Sequence, residues 1–165
     1  MARKPTHSAG GVVVRKGARR LIAVVQRSKD GQWVLPRGKL KRNENARAGA
    51  RREAAEETGH KVSVHDFLGA IVYRAQGGPK LVQFWHMRAG KSARRAPLRD
   101  IAAVAWLPLP RAVKRLSYPL ERLFLQGVAR DLAGKKKKGP AKAGKKKSNS
   151  KFRRASSRAG RKRRR

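Results

Sequence analysis

The chain has no cysteine in its 165 residues, which excludes a disulfide framework and any thiolate metal or redox site. Acid is almost as scarce: nine Asp+Glu stand against 45 Lys+Arg, for a formal net charge of +36. Carboxylate chemistry is confined to few positions, so any clustering of acids calls for a reason. No apolar run is long enough to span a bilayer, and the start lacks the apolar core of a secretory signal. The expectation is a soluble cytoplasmic protein with no membrane partner.

Composition shifts sharply near Gly134. Residues 134–165 hold 17 Lys+Arg, no acid, one aromatic (Phe152) and no Val, Ile, Leu or Met. Such a segment cannot bury enough apolar surface to offset the entropy of ordering it. It is expected to be a disordered basic tail on a single domain spanning 1–133. A tail of that charge attracts nucleic acid or another polyanion non-specifically. With only Phe152 to stack on bases, it carries no single-strand reading surface.

What is present is a concentration of acid. Four of the nine acidic residues, Glu44, Glu53, Glu56 and Glu57, fall between Gly38 and Gly59. The stretch from Asn45 to Thr58 is rich in Ala, Arg and Glu and predicts a helix, with Asn45 as N-cap and Gly59 as its stop. On that helix Glu53, Glu56 and Glu57 stand at i, i+3 and i+4 and share one side. Carboxylates so placed repel each other unless a cation sits among them. One reading is a hard divalent ion with oxygen ligands and phosphates as co-ligands. The other is a solvated acidic face paired with Arg47, Arg51 and Arg52.

The spacing around the helix reads G-x5-E-x7-R-E-A-x-E-E-x-G, met at Gly38, Glu44, Arg52, Glu53, Glu56, Glu57 and Gly59. It resembles the Nudix box, the signature of hydrolases acting on nucleoside diphosphates linked to another moiety. One position departs: an aliphatic residue usually follows the last Gly, and here it is His60. The resemblance extends over about residues 8 to 127 through Ser8–Arg15, Trp33–Lys39, Val104–Pro108 and Leu116–Arg122. It is strongest to members that cleave diadenosine polyphosphates or sanitise nucleoside triphosphates.

The resemblance implies an α/β fold, an α/β/α sandwich around a mixed sheet. It implies Mg²⁺ (or Mn²⁺) held by Glu53, Glu56, Glu57 and the Gly38 carbonyl, with Arg52 orienting a carboxylate and Glu44 bracing the loop against the helix. Glu53 or Glu56 is the candidate base, and Asp100, near a place where similar sequences carry Glu, is the candidate outside the box. Arg37, Lys39, Tyr118 and Arg122 are the candidate substrate contacts. Trp33, Phe84 and Trp85 are candidates for stacking a base, though aromatic residues on strands are more often core. His7, His65 and His86 show no partner pattern. The implied substrate is a nucleotide polyphosphate, first a dinucleoside tetraphosphate. The alternatives are a (deoxy)nucleoside triphosphate, for example an oxidised one, and a nucleic-acid-binding protein that uses the fold as a scaffold.

Local patterns place the other elements. Gly11–Arg15, Leu21–Arg27, Val34–Leu35, Leu81–Met87 and Ile101–Leu107 read as strands, with Lys61 to Tyr73 as a further one bent near His65–Asp66. Ala89 to Arg99 reads as a loop. Pro110 and Pro119 open helices through Leu116 and Leu132.

Overall fold

The computed structural model describes residues 4–75 and 77–132. The stretch 134–165, expected to be a disordered tail, lies outside the described residues. Two β-branched runs open the fold, β1 (Thr6–Lys16) and β2 (Arg20–Arg27). They pair only beside their turn, Val14 with Ile22, Arg15 with Leu21 and Lys16 with Arg20, and then part. The wedge between them is filled by the next stretch of chain. Its β3 (Trp33–Val34) pairs with Val25 and Gln26 of β2, and its β4 (Arg37–Lys39) pairs with Ser8, Ala9 and Gly10 of β1. The Pro36 carbonyl between them accepts the Gly11 N–H at 3.0 Å.

The helix predicted over the acidic cluster is α1 (Ala46–Thr58). Asn45 caps it by accepting the Arg47 N–H at 2.9 Å, and Gly59 ends it at φ 72°, where a side chain would be strained. Then come β5 (His60–Ala75) and β6 (Gly78–Ala93), a long antiparallel ribbon. β6 runs parallel to β1 from Thr6 beside Lys80 to Val14 beside Arg88. β7 (Ile101–Leu107) covers the other edge of β2. The sheet is therefore mixed, as expected.

Helices cover both faces. Ala50 and Ala54 of α1 pack on Ala9, Val13, Ala23, Val62, Trp85 and Met87. α2 (Leu109–Arg115), α3 (Pro119–Gly127) and α4 (Ala129–Leu132) close the other face, where Val113, Leu116, Leu125 and Leu132 meet Val12, Val24, Val82 and Phe84. This is the expected α/β/α arrangement. Among the described residues no helix is long and apolar enough to cross a membrane.

Three local expectations change. The loop read over Ala89–Arg99 begins only after Ala93, because β5 continues as a partner: Val62 pairs with Ala89 and His60 with Ala93. Cross-strand hydrogen bonds make that strand, and its small and cationic residues carry no alternation to announce it. The helix read from Pro119 to Leu132 breaks at Val128, next to Gly127, the residue least able to hold a helix after proline. The bend near His65–Asp66 is a register shift between Val64 and Phe67.

Candidate active site

Period-2 alternation decides what the short strand β4 presents. Gly38 pairs with Ala9, which faces α1, whereas Arg37 and Lys39 pair with Gly10 and Ser8, on the face shared with Val12 and closed by α3. The Gly38 backbone thus abuts the acidic helix, and its two basic neighbours turn away from it.

On the α1 side the fit is close. A Cβ on Gly38 would lie 2.0 Å from the Glu53 carboxyl carbon, so only glycine leaves room for that carboxylate. The Arg52 guanidinium ties the cluster together. Its Nε and Nη2 donate to Glu44 at 2.7 and 2.8 Å, and its Nη1 to Glu53 at 2.6 Å and Glu56 at 3.2 Å. Its Nη2 also reaches the Lys39 carbonyl at 3.2 Å. Glu44 accepts the Lys41 N–H as well, and these bonds, Arg52's foremost, hold its pKa down at about 2. Of the arginines expected to pair with this acidic face, only Arg52 does so among the described residues; Arg47 donates instead to the Val64 carbonyl.

Glu57, a turn further on, is buried. It accepts the Arg37 N–H at 2.8 Å. Burial pushes its pKa up to about 8 against that hydrogen bond, and the charges of Glu53 and Asp100 push the same way. Burial also raises Glu53, opposed by Arg52. Asp100 itself is exposed, with its carbonyl accepting the Ser28 N–H at 2.8 Å. His60, where an aliphatic residue was expected, is buried edge-on to Trp106 with ring centroids 5.0 Å apart, and its Nδ1 lies 3.0 Å from the Gly90 carbonyl.

The opposite side is built on a different ion pair. Arg37, expected to contact substrate, is buried, and its Nε and Nη2 donate to Glu121 of α3 at 3.0 and 2.6 Å. Glu121, 1% exposed, also accepts the Leu35 N–H at 2.8 Å. Sequence reasoning missed Glu121, which lay unremarked inside the Leu116–Arg122 stretch. It also missed Lys80, level with Thr6 across β1 from Lys39. Burial, then the charges of Arg37, Lys39, Arg27 and Lys29, lower the Lys80 pKa to about 8. Alternation was the available signal, since Lys80, Val82 and Phe84 share a face. Beside them the Ser8 hydroxyl is the one buried side-chain polar atom without a partner among the described residues.

Tyr118 is exposed, and its hydroxyl accepts from Arg27 at 2.7 Å. Arg122 instead donates to the Leu116 carbonyl at the end of α2. Phe84 and Trp85 are buried in the two cores, and Trp33 lies under the Arg115 guanidinium, 4.9 Å from its ring centre.

Glu53, Glu56, Glu57 and the Gly38 carbonyl form an all-oxygen donor set suited to a hard divalent ion. The Gly38 cradle that brings one carboxylate against the backbone fits such a role. Among the described residues the carboxylates do not converge on one point: Glu53 and Glu56 lean to Arg52, and Glu57 to the Arg37 N–H.

Known proteins include relatives of this chain. The chain is 36% identical over 107 residues to the 8-oxo-(d)GTP phosphatase of Mycolicibacterium smegmatis, covering 64% of this chain and 32% of that protein. It spans only about a third of that relative's length. It is 34% identical over 115 residues to a MutT-like protein of Streptomyces ambofaciens, covering 68% and 71% of the two chains. Its fold superposes on a crystal structure of a C. elegans Ap4A hydrolase binary complex with a TM-score of 0.69 and 25% identity, over 78% of this chain and 98% of that one. The family model described as NUDIX domain matches residues 5–126, and the chain belongs to that family of Nudix hydrolases.

Proposed function

We propose that this protein hydrolyses a phosphoanhydride bond in a nucleotide polyphosphate, with a dinucleoside tetraphosphate as the first candidate substrate. The observation that carries the reading is the contrast across β4. A carboxylate cluster gathered on Gly38 lies on one side, and Lys39 and Lys80 on the other, with Arg27 and Lys29 near enough to act on Lys80's charge. A chain of phosphates laid over the strand has cations for its non-bridging oxygens and carboxylates beside the bond to be broken.

Glu53, Glu56, Glu57 and the Gly38 carbonyl would hold Mg²⁺ or Mn²⁺. Such an ion supplies charge neutralisation on the phosphates and a more acidic coordinated water. The remaining work belongs to the chain. Arg52 fixes Glu53 and Glu56 relative to each other and to Glu44, and Glu53 or Glu56 accepts the proton of the attacking water. Asp100 is the acid outside the box for the same step. Lys39 and Lys80 bind phosphate, Tyr118 and Arg27 flank the mouth of the site, and Arg37 positions the loop from within. Arg122, tied to the end of α2, is left to approach a terminal phosphate only by giving up that bond.

A second reading, hydrolysis of a (deoxy)nucleoside triphosphate, is favoured by the similarity to the 8-oxo-(d)GTP phosphatase. The test is a panel of diadenosine tetraphosphate, dGTP and 8-oxo-dGTP with Mg²⁺ and the full chain, products separated by chromatography. The expected result is cleavage of at least one substrate, lowered on the order of 10²–10⁴-fold in Glu53→Gln. Mg²⁺ should raise the melting temperature of the wild type and not that of Glu57→Gln. If no substrate is turned over and both proteins respond to Mg²⁺ alike, the enzymatic reading fails and the scaffold alternative stands.

A further inference from the structure

The β5–β6 ribbon carries a second charged surface, where the chain leaves the C-terminal end of α1. On β5, Val62 and Val64 turn toward α1, so Lys61 and Ser63 turn to the other face. Ser63 pairs with Arg88, the last β6 residue beside β1. From Ala89 to Ala93, β6 pairs with β5 alone, so this end runs on as a two-stranded ribbon past the sheet. A groove of about 300 Å³ opens there, lined by Lys61, Ser63, Arg88, Gly90, Lys91 and Arg94 among others. The level of Val14 and Arg88 is six residues along β1 from Ser8 and Lys39, about 20 Å at strand rise.

The groove is strongly basic. It has four cations and no acid in its lining. None of the four forms an ion pair among the described residues, as is true of every Lys and Arg there but Arg27, Arg37 and Arg52. Just along β6, His86 is held below the ordinary histidine pKa, first by burial, then by His65 and Arg88, with Asp66 opposing. Like charges held together at an unpaired site cost free energy that a bound polyanion relieves. The lining contains no aromatic side chain, so bases have nothing to stack on. Lys and Arg on a ribbon meet phosphates and leave base edges unread.

We propose that this groove is a docking site for the phosphodiester backbone of nucleic acid, independent of base sequence. Arg88 stands about 20 Å along β1 from Lys39, so a chain docked on Arg88 and Lys91 leaves the Lys39–Lys80 face open. The proposal does not rest on the catalytic reading.

The test compares two full-length variants that each lose four exposed cations. One is Lys61→Ser/Arg88→Ser/Lys91→Ser/Arg94→Ser; the other is Arg42→Ser/Arg51→Ser/Arg111→Ser/Lys114→Ser, spread over other surfaces. Both keep residues 134–165, so whatever that segment binds is common to them. Affinity for labelled 20-bp DNA duplexes of two unrelated sequences is followed by fluorescence anisotropy over a salt series, with melting temperature and nucleotide turnover as fold controls. Each phosphate contact contributes about 0.9 to the slope of log affinity against log salt. The groove variant should lose about 3–4 units of slope and bind both duplexes at least tenfold more weakly at low salt, while the control variant changes far less. Equal losses in the two variants would mean that only the overall charge matters, and would overturn the site. A preference of the wild type for one duplex that vanishes in the groove variant would overturn backbone-only docking.

Discussion

Two arginines flank Gly38 in space and do opposite kinds of work. Arg52, on α1, reaches three carboxylates and has 20% of its side chain exposed. Arg37, on β4, reaches one and has 5% exposed. Solvent screens the first network, so each of its pairs is worth little to stability, while their geometry sets where Glu53 and Glu56 stand. The second pair is dry. Its net worth to stability is small, but removing one partner strands a charge with no water to take it. One loop is thus held on one side by an adjustable clamp and on the other by a contact that either forms completely or disrupts the fold.

The sharpest break in that comparison is Glu121→Ala. It should destabilise the protein by about 3–5 kcal/mol, whereas Arg37→Met/Glu121→Leu should recover most of the loss. Thermal melts of the two variants check this, and equal losses would show that the pair is not acting as a unit. Next comes Arg52→Lys, which keeps the charge and loses the fork. It should lower turnover on the order of 10²-fold, with a melting temperature within about 3 °C of wild type. A large stability loss with unchanged turnover would reverse the roles assigned to the two arginines.

A smaller effect concerns Lys80. Its folded pKa of about 8 lies below the unfolded value, so the folded state holds fewer protons between about pH 8 and 10.5 and stability rises with pH in that window. Below pH 8 its charge opposes folding. Lys80→Met should therefore flatten the melting temperature between about pH 8 and 10 and remove much of the stabilisation that tripolyphosphate gives the wild type at pH 7. Differential scanning fluorimetry reads both. The smallest effect is Ser8→Ala. Deleting an unpartnered buried hydroxyl should leave stability unchanged or slightly raised, and if that hydroxyl meets substrate, KM should rise about three- to tenfold.

Local signals made much of this legible in advance. The cap at Asn45, the stop at Gly59 and the spacing of Glu53, Glu56 and Glu57 are decided within one helix and could be read from it. The Arg37–Glu121 pair joins residues 84 apart, and nothing near either position marks it as buried. Arg37 read as a phosphate contact because it flanks Gly38 where similar enzymes carry a basic residue; the burial comes from α3, which no local pattern places over β4. β4 itself is three residues long and exists through its partner, β1. Ala89–Ala93 went unread for the same reason, being strand only because β5 lies beside it.

The parallel pairing of β1 with β6 sets an order of events when the chain is made. Each contact from Thr6–Lys80 to Val14–Arg88 spans 74 residues, and the hairpin with β2 secures only the turn-proximal end of β1. Until β6 has been synthesised, one edge of the central strand stays open to any other strand it meets. The acidic helix and its loop are complete well before that, so a chain stopped near Gly78 would carry the whole box on an unfinished sheet. Closing so long a loop makes folding slow relative to a local topology. In a nascent chain the vulnerable interval is set by when Lys80 to Arg88 arrive to cover β1.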